Sequence, residues 1–169
     1  MEFLCVFILL IHGATLLVDE FYYHIKRGLP RWERIGHPLD TAVFAGVILF
    51  ALLSPFNERN FIIYVALSIF SSLFVTKDEF VHAKECDGGE HWLHGILFVF
   101  HSLVLGVMGY AWSQMSLNQN QFYTLMINGQ AVLSTIFCLY QIIYWNFIYN
   151  PQKRGHHVED KQRGVPHPR

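Results

Sequence analysis

Histidines and carboxylates recur in this chain at spacings that suit metal ligation. The stretch D-E-F-Y-Y-H begins at Asp19, and D-E-F-V-H begins at Asp78. On a helix, residues three or four apart share a face. Glu20 with His24, and Glu79 with His82, would each present an acid and an imidazole together. The second pair has the E-x-x-H spacing found in carboxylate di-iron bundles. Two more pairs, His37 with Asp40 and His91 with His94, stand three apart where the next apolar run opens. These eight donors suit two metal ions. Asp19, Asp78 and Glu90 are alternatives, either as bridging ligands or as acceptors that hold imidazole N–H groups. His12 and His101 lie deeper, eight residues before Glu20 and seven after His94. Extra ligation, proton relay and axial ligation of haem are open to them, beside the plainer role of a hydrogen-bonded buried histidine.

Mixed imidazole and carboxylate donors fit iron, manganese or zinc, with iron placed first, and haem stays open through the deeper pair. The three cysteines, Cys5, Cys86 and Cys138, form no C-x-x-C pair. That argues against a disulfide framework, a thiolate zinc site and an iron–sulfur cluster. The expected function is a dinuclear membrane metalloenzyme oxidising a lipid or quinone with dioxygen, as hydroxylase, desaturase or oxidase. A zinc hydrolase of lipid or peptide bonds is the alternative, with Glu90 as general base. A metal or proton transporter or a haem-binding subunit is the non-enzymatic alternative. The net charge is −1, so no global basic field points to nucleic acid.

The elements that would position these donors are membrane helices. The chain is 53% apolar and 15% charged, where soluble domains are about 25% charged. Five apolar runs cover residues 3–18, 41–56, 61–75, 92–112 and 122–149. A spanning helix needs about 20 residues, so the first three runs must borrow a turn from their flanks. Those flanks carry the D-E-F stretches. The early charge is Glu2 and no basic segment precedes the first run, which reads as a retained span rather than a signal peptide.

The fold expected is an all-α integral membrane bundle of five transmembrane helices. The first four form a tandem 2+2 hairpin repeat with halves at about 3–56 and 61–112, and a fifth helix covers 122–149. Both halves run helix, ligand loop, helix, the loops being residues 19–40 and 76–91, and they are expected to be parallel repeats about an axis normal to the membrane. Residues 1–149 make one membrane domain. Residues 150–169, with His156, His157 and His167, read as a disordered cytoplasmic tail. Lys26, Arg27, Arg31, Arg34, Lys77 and Lys84 fall in the two loops and five more basic residues in the tail, against Arg59 alone in the two opposite turns. The positive-inside rule then places the N-terminus outside and the C-terminus in the cytoplasm. The loop G-L-P-R-W-E-R, with Arg27, Arg31, Trp32 and Arg34 in and beside it, reads as a basic interfacial flank against membrane lipids.

Overall fold

The computed structural model describes residues 1–149, without the side chains of Asp78, Val81, Lys84 and Glu85. The tail, with its three histidines, lies outside the described residues. The described residues are all-helical. Five helices are long and apolar enough to cross a membrane: α1 (Glu2–Arg27), α2 (Arg31–Leu53), α3 (Glu58–Lys77), α5 (Gly88–Asn118) and α6 (Gln121–Ile148). The short α4 (Glu79–Glu85) joins α3 to α5.

The first and third apolar runs do extend into their flanks. In α1 the extension passes through a π-helical turn, Asp19–His24, and ends at Gly28. Gly28 has a positive φ of 78°, which costs a glycine little, and a Cβ there would collide with the Tyr149 hydroxyl. Pro30 follows as the N-cap of α2. Residues 28–30 are therefore the whole connection between α1 and α2. This corrects the expected ligand loops: residues 19–40 and 76–91 are mostly helix. Asp19, Glu20, Glu33, Asp40 and Glu90 turn towards the bundle interior, while Lys26, Arg31 and Asp87 stay exposed.

Helix starts have recognisable caps. Asn57 accepts from the Asn60 N–H at 2.9 Å, and Asn120 from the Phe122 N–H at 3.0 Å. Asp87 accepts from the Gly89 and Glu90 N–H groups, both at 2.9 Å, which sets the first turn of α5. Pro38 lies inside α2 and has no N–H for the Arg34 carbonyl. Asn146 Nδ2 donates to that carbonyl instead, at 3.3 Å.

Helix α5 is the centre of the bundle and touches α1, α2, α3 and α6; α2 also packs along α6. At the end remote from the D-E-F stretches the core is apolar, around Ile48, Leu105, Met108, Trp112 and Ile127. Trp112 donates to the Ser54 carbonyl at 3.2 Å, and Tyr64 to the Leu105 carbonyl at 2.6 Å. Large apolar side chains such as Leu53, Leu73, Leu125 and Phe147 point outward. Such a surface suits hydrocarbon as solvent, where helices associate by packing and polar contacts rather than by escape from water.

Candidate metal centre

The opposite end of the bundle is built from charge. In the π-helical turn of α1, hydrogen bonding runs to the fifth residue rather than the fourth. Asp19 and Glu20 both reach His24. Asp19 Oδ2 lies 3.3 Å from His24 Nε2, and His24 Nδ1 approaches Glu20 Oε2 at 3.4 Å. Glu20 is held from the other side by α6, because Trp145 Nε1 donates to its Oε1 at 2.6 Å and Gln141 Nε2 to its Oε2 at 3.4 Å. Trp145 itself belongs to a second π-helical turn, Tyr144–Ile148. Glu20 therefore fixes the ring of His24 through one nitrogen and leaves the other facing inward, the arrangement that orients metal-bound imidazoles.

Three other helices meet this turn. Helix α5 supplies Glu90 and His94, α2 supplies Glu33 and His37, and α4 supplies His82. His94 Nε2 donates to Asp19 Oδ1 at 2.9 Å. Arg27 bridges the remaining acids, with Nη2 2.6 Å from Glu33 Oε2 and 2.9 Å from Glu90 Oε1. The four imidazoles are neighbours: ring centroids are 4.6 Å apart for His24 and His37, and 4.2 Å for His82 and His94.

Donor atoms in three groups approach closely enough to share a cation, all within 4.8 Å of one another in each group. One is Asp19, His24, Glu90 and His94, all buried. Another is Glu33, His37 and His82. The third, His82, Cys86 and His94, borrows a ring from each of the others. The first two groups share no residue. These buried His, Asp and Glu side chains could hold a metal ion.

Two features of the cluster are compatible with a bound cation. Five buried ring nitrogens have no hydrogen-bond partner among the described residues: His24 Nε2, His37 Nε2, His82 Nδ1 and Nε2, and His94 Nδ1. Buried polar atoms are normally satisfied, and each exception costs about 1–3 kcal/mol. Secondly, four buried carboxylates, Asp19, Glu20, Glu33 and Glu90, line the cluster, and its one guanidinium, that of Arg27, pairs with Glu33 and Glu90. Burial above all, with His94 and Arg27 beside it, lowers the pKa of His82 to about 3. The neutral ring is the form that binds metal. Burial also raises the Cys86 thiol, which stays protonated unless a metal claims it.

Five of the eight donors expected from spacing, Glu20, His24, His37, His82 and His94, come together here, and so do the alternatives Asp19 and Glu90. Three stand apart. Asp40 faces Lys77, whose Nζ is 2.7 Å from both carboxylate oxygens. Glu79 and His91 pair with each other at 3.2 Å, with 37% and 46% of their side chains exposed. The side chain of Asp78 lies outside the described ones. His12 and His101 are buried with ring centroids 6.3 Å apart, and Ser71 contacts His101 Nε2 at 2.9 Å.

Glu33 is the acid that sequence reasoning missed. A signal for it was present: Glu20/His24, Glu33/His37 and Glu90/His94 share one spacing, acid four residues before histidine. An i, i+4 pair faces the same way on a helix. Pairing the histidines three apart instead, as His37 with Asp40 and His91 with His94, hides this recurrence.

Beneath the cluster a cavity of about 690 Å³ continues into the bundle. Asp19, Glu20, His37, His82 and His94 are in its wall at one end, and His12 and His101 face it deeper down. Comparison with protein families, curated proteins and solved structures finds no match for this chain.

Proposed function

We propose that this protein is a membrane-embedded metalloenzyme with a dinuclear His/carboxylate centre. One ion takes Asp19, His24, Glu90 and His94; the other takes Glu33, His37 and His82. The observation that carries the reading is the set of five buried ring nitrogens that make no hydrogen bond among the described residues and converge among four carboxylates. Glu20, tied to Trp145 and Gln141, orients His24, and Arg27 offsets part of the carboxylate charge. Oxygen and nitrogen donors of this mixture suit iron, manganese and zinc. We assign iron, and with it oxygen-dependent oxidation of a lipid-like substrate, because the centre opens onto a largely apolar cavity. Iron would supply redox chemistry; the chain supplies ligands, a counter-charge and an apolar chamber.

The same reading orients the chain. The cluster shares its end of the bundle with Lys26, Arg27, Arg31, Arg34 and Lys77, so we place it at the cytoplasmic rim, with the N-terminus outside. The α1–α2 and α3–α5 pairs are then two parallel copies of one hairpin, with D-E-F inside the first helix of one copy and just beyond the first helix of the other.

Elemental analysis of the detergent-purified protein tests the centre. The expected result is about two iron ions per chain, with one or both lost in His24→Ala. Zinc at the same stoichiometry would move the reading to hydrolysis. A chain that binds no metal after reconstitution would overturn it.

A further inference from the structure

The cavity beneath the cluster has a direction. On α1 its wall runs from Glu20 down to Val6, about 20 Å at 1.5 Å per residue. Its volume, about 690 Å³, is spread along that length. Near the cluster α1, α2, α5 and α6 all contribute to the wall. In the deeper half α1 and α6 face each other through residues such as Leu9, Leu10, Leu125 and Met126, and Phe44 of α2 and His101 of α5 also line it. These two helices are not among the closely packed pairs of the bundle. Leu10 and Leu125, on opposite sides, are 66% and 67% exposed, so the deep half opens sideways to the lipid phase. Gly13 and Gly129 widen it: a Cβ at either would meet no atom within 4 Å.

Polar groups in the upper wall are mostly spoken for. Thr41 donates to Gln141 at 2.7 Å, Gln141 donates to Glu20, and Ser134 donates to the Gln130 carbonyl at 2.7 Å. The deep wall is largely apolar; its polar side chains are His12, whose ring makes no hydrogen bond among the described residues, His101, which contacts Ser71 at 2.9 Å, and Gln130. A hydrocarbon chain matches this lining.

We infer that the slot between α1 and α6 admits the tail of a single-chain lipid and lays it along α1, so that the carbons next to its polar head, not its methyl end, lie at the metal cluster. The inference rests on the proposed centre only for its chemistry; the slot stands on its own geometry. A lipid of the leaflet on the cluster's side has its head at the rim and its tail towards the midplane. The cavity runs the same way, from the rim cluster inward. Such a lipid enters sideways without inverting, and its head group reaches the rim where the cluster sits. Bringing the methyl end to the cluster would require the lipid to enter against the direction of its leaflet, with its polar head towards the midplane. The substrate class is therefore a long-chain acyl or alkyl lipid that reacts near its head.

Photolabelling with long-chain fatty acids carrying a diazirine near either end tests this on the full chain in lipid vesicles. A probe placed near the carboxyl end should label residues close to the cluster, such as Leu16, Phe137 and Gln141. A probe near the methyl end should label Leu9, Leu10, Leu125 and Met126. Gly129→Phe and, on the facing wall, Gly13→Leu should each cut labelling by roughly tenfold while metal content stays at the wild-type level. The unchanged metal content also shows that each variant is folded. His24→Ala should show the converse, metal lost and labelling kept, which separates failure of the slot from failure of the centre. Reversed order of the two probes would overturn the orientation. Labelling spread equally over the outer faces, including Leu73 on α3, or unaffected by both glycine variants, would overturn the slot.

Discussion

The Asp-Glu-Phe triplet at residues 19–21 and the one at residues 78–80 share a sequence and end in different structures. The first is wound as a π-helical turn inside the long helix α1. The second straddles a 3₁₀ turn, Val75–Asp78, and the start of the short helix α4. In the wide turn Asp19, Glu20 and His24 are all buried, and the two acids approach different nitrogens of one imidazole. At the tight turn Glu79 stays half-exposed on the outside while His82, three residues on, is buried. Helical winding sets which residues share a face. A turn closed at the fifth residue brings positions 19 and 24 together as well as 20 and 24. A 3₁₀ turn running into α-helix brings His82 inward and leaves Glu79 outside. The lesson is that a repeated motif specifies donors, while local winding selects which of them are delivered.

The comparison can be broken most severely at His24. His24→Ala should remove metal from the Asp19 seat outright, and His82→Ala from the Glu33 seat, both read by elemental analysis; equal loss from Glu79→Ala would erase the distinction between the two stretches. Next in size is Arg27→Met. It leaves Glu33 and Glu90 buried without their counter-charge, so the metal-free protein should lose about 3–5 kcal/mol in chemical unfolding. Added metal should restore a large part of that loss. Glu20→Gln sharpens the comparison from within the first stretch. Its amide keeps an acceptor for Trp145 but weakens the hold on His24, and metal affinity should fall by about 10–100-fold with the fold intact. The smallest effect belongs to the second stretch. Glu79→Ala or His91→Ala removes an exposed ion pair, and stability should change by less than about 1 kcal/mol with metal content unaltered.

Much of the architecture is legible in the residue pattern. Uncharged runs of about 16 or more residues leave little choice but helices crossing an apolar phase, and the structure has five helices of that length and composition. The identity of the donors is legible too, since His24, His82 and His94 stand at borders where solvated flanks would more naturally carry lysine. The grouping of donors is less so. Asp40 looked equivalent to its neighbours by spacing, yet Lys77 from α3 neutralises it across the helix pair. Glu33 sits among arginines and a tryptophan and reads as part of a basic interfacial flank, yet it is fully buried against Arg27.

What the sequence by itself determined is the inventory: five apolar helices, a polar end rich in histidine and carboxylate, and acid-to-imidazole spacings that put donors in pairs. Those follow from local periodicity and composition, which need no knowledge of neighbours. The tertiary structure alone decided the partners. Whether a carboxylate meets Arg27, Lys77, Trp145 or an imidazole depends on which helix stands beside it, and on a π-helical turn that shifts the register of α1 by one residue. The cavity between α1 and α6 is likewise invisible in the chain, because a void is a property of helices that fail to meet.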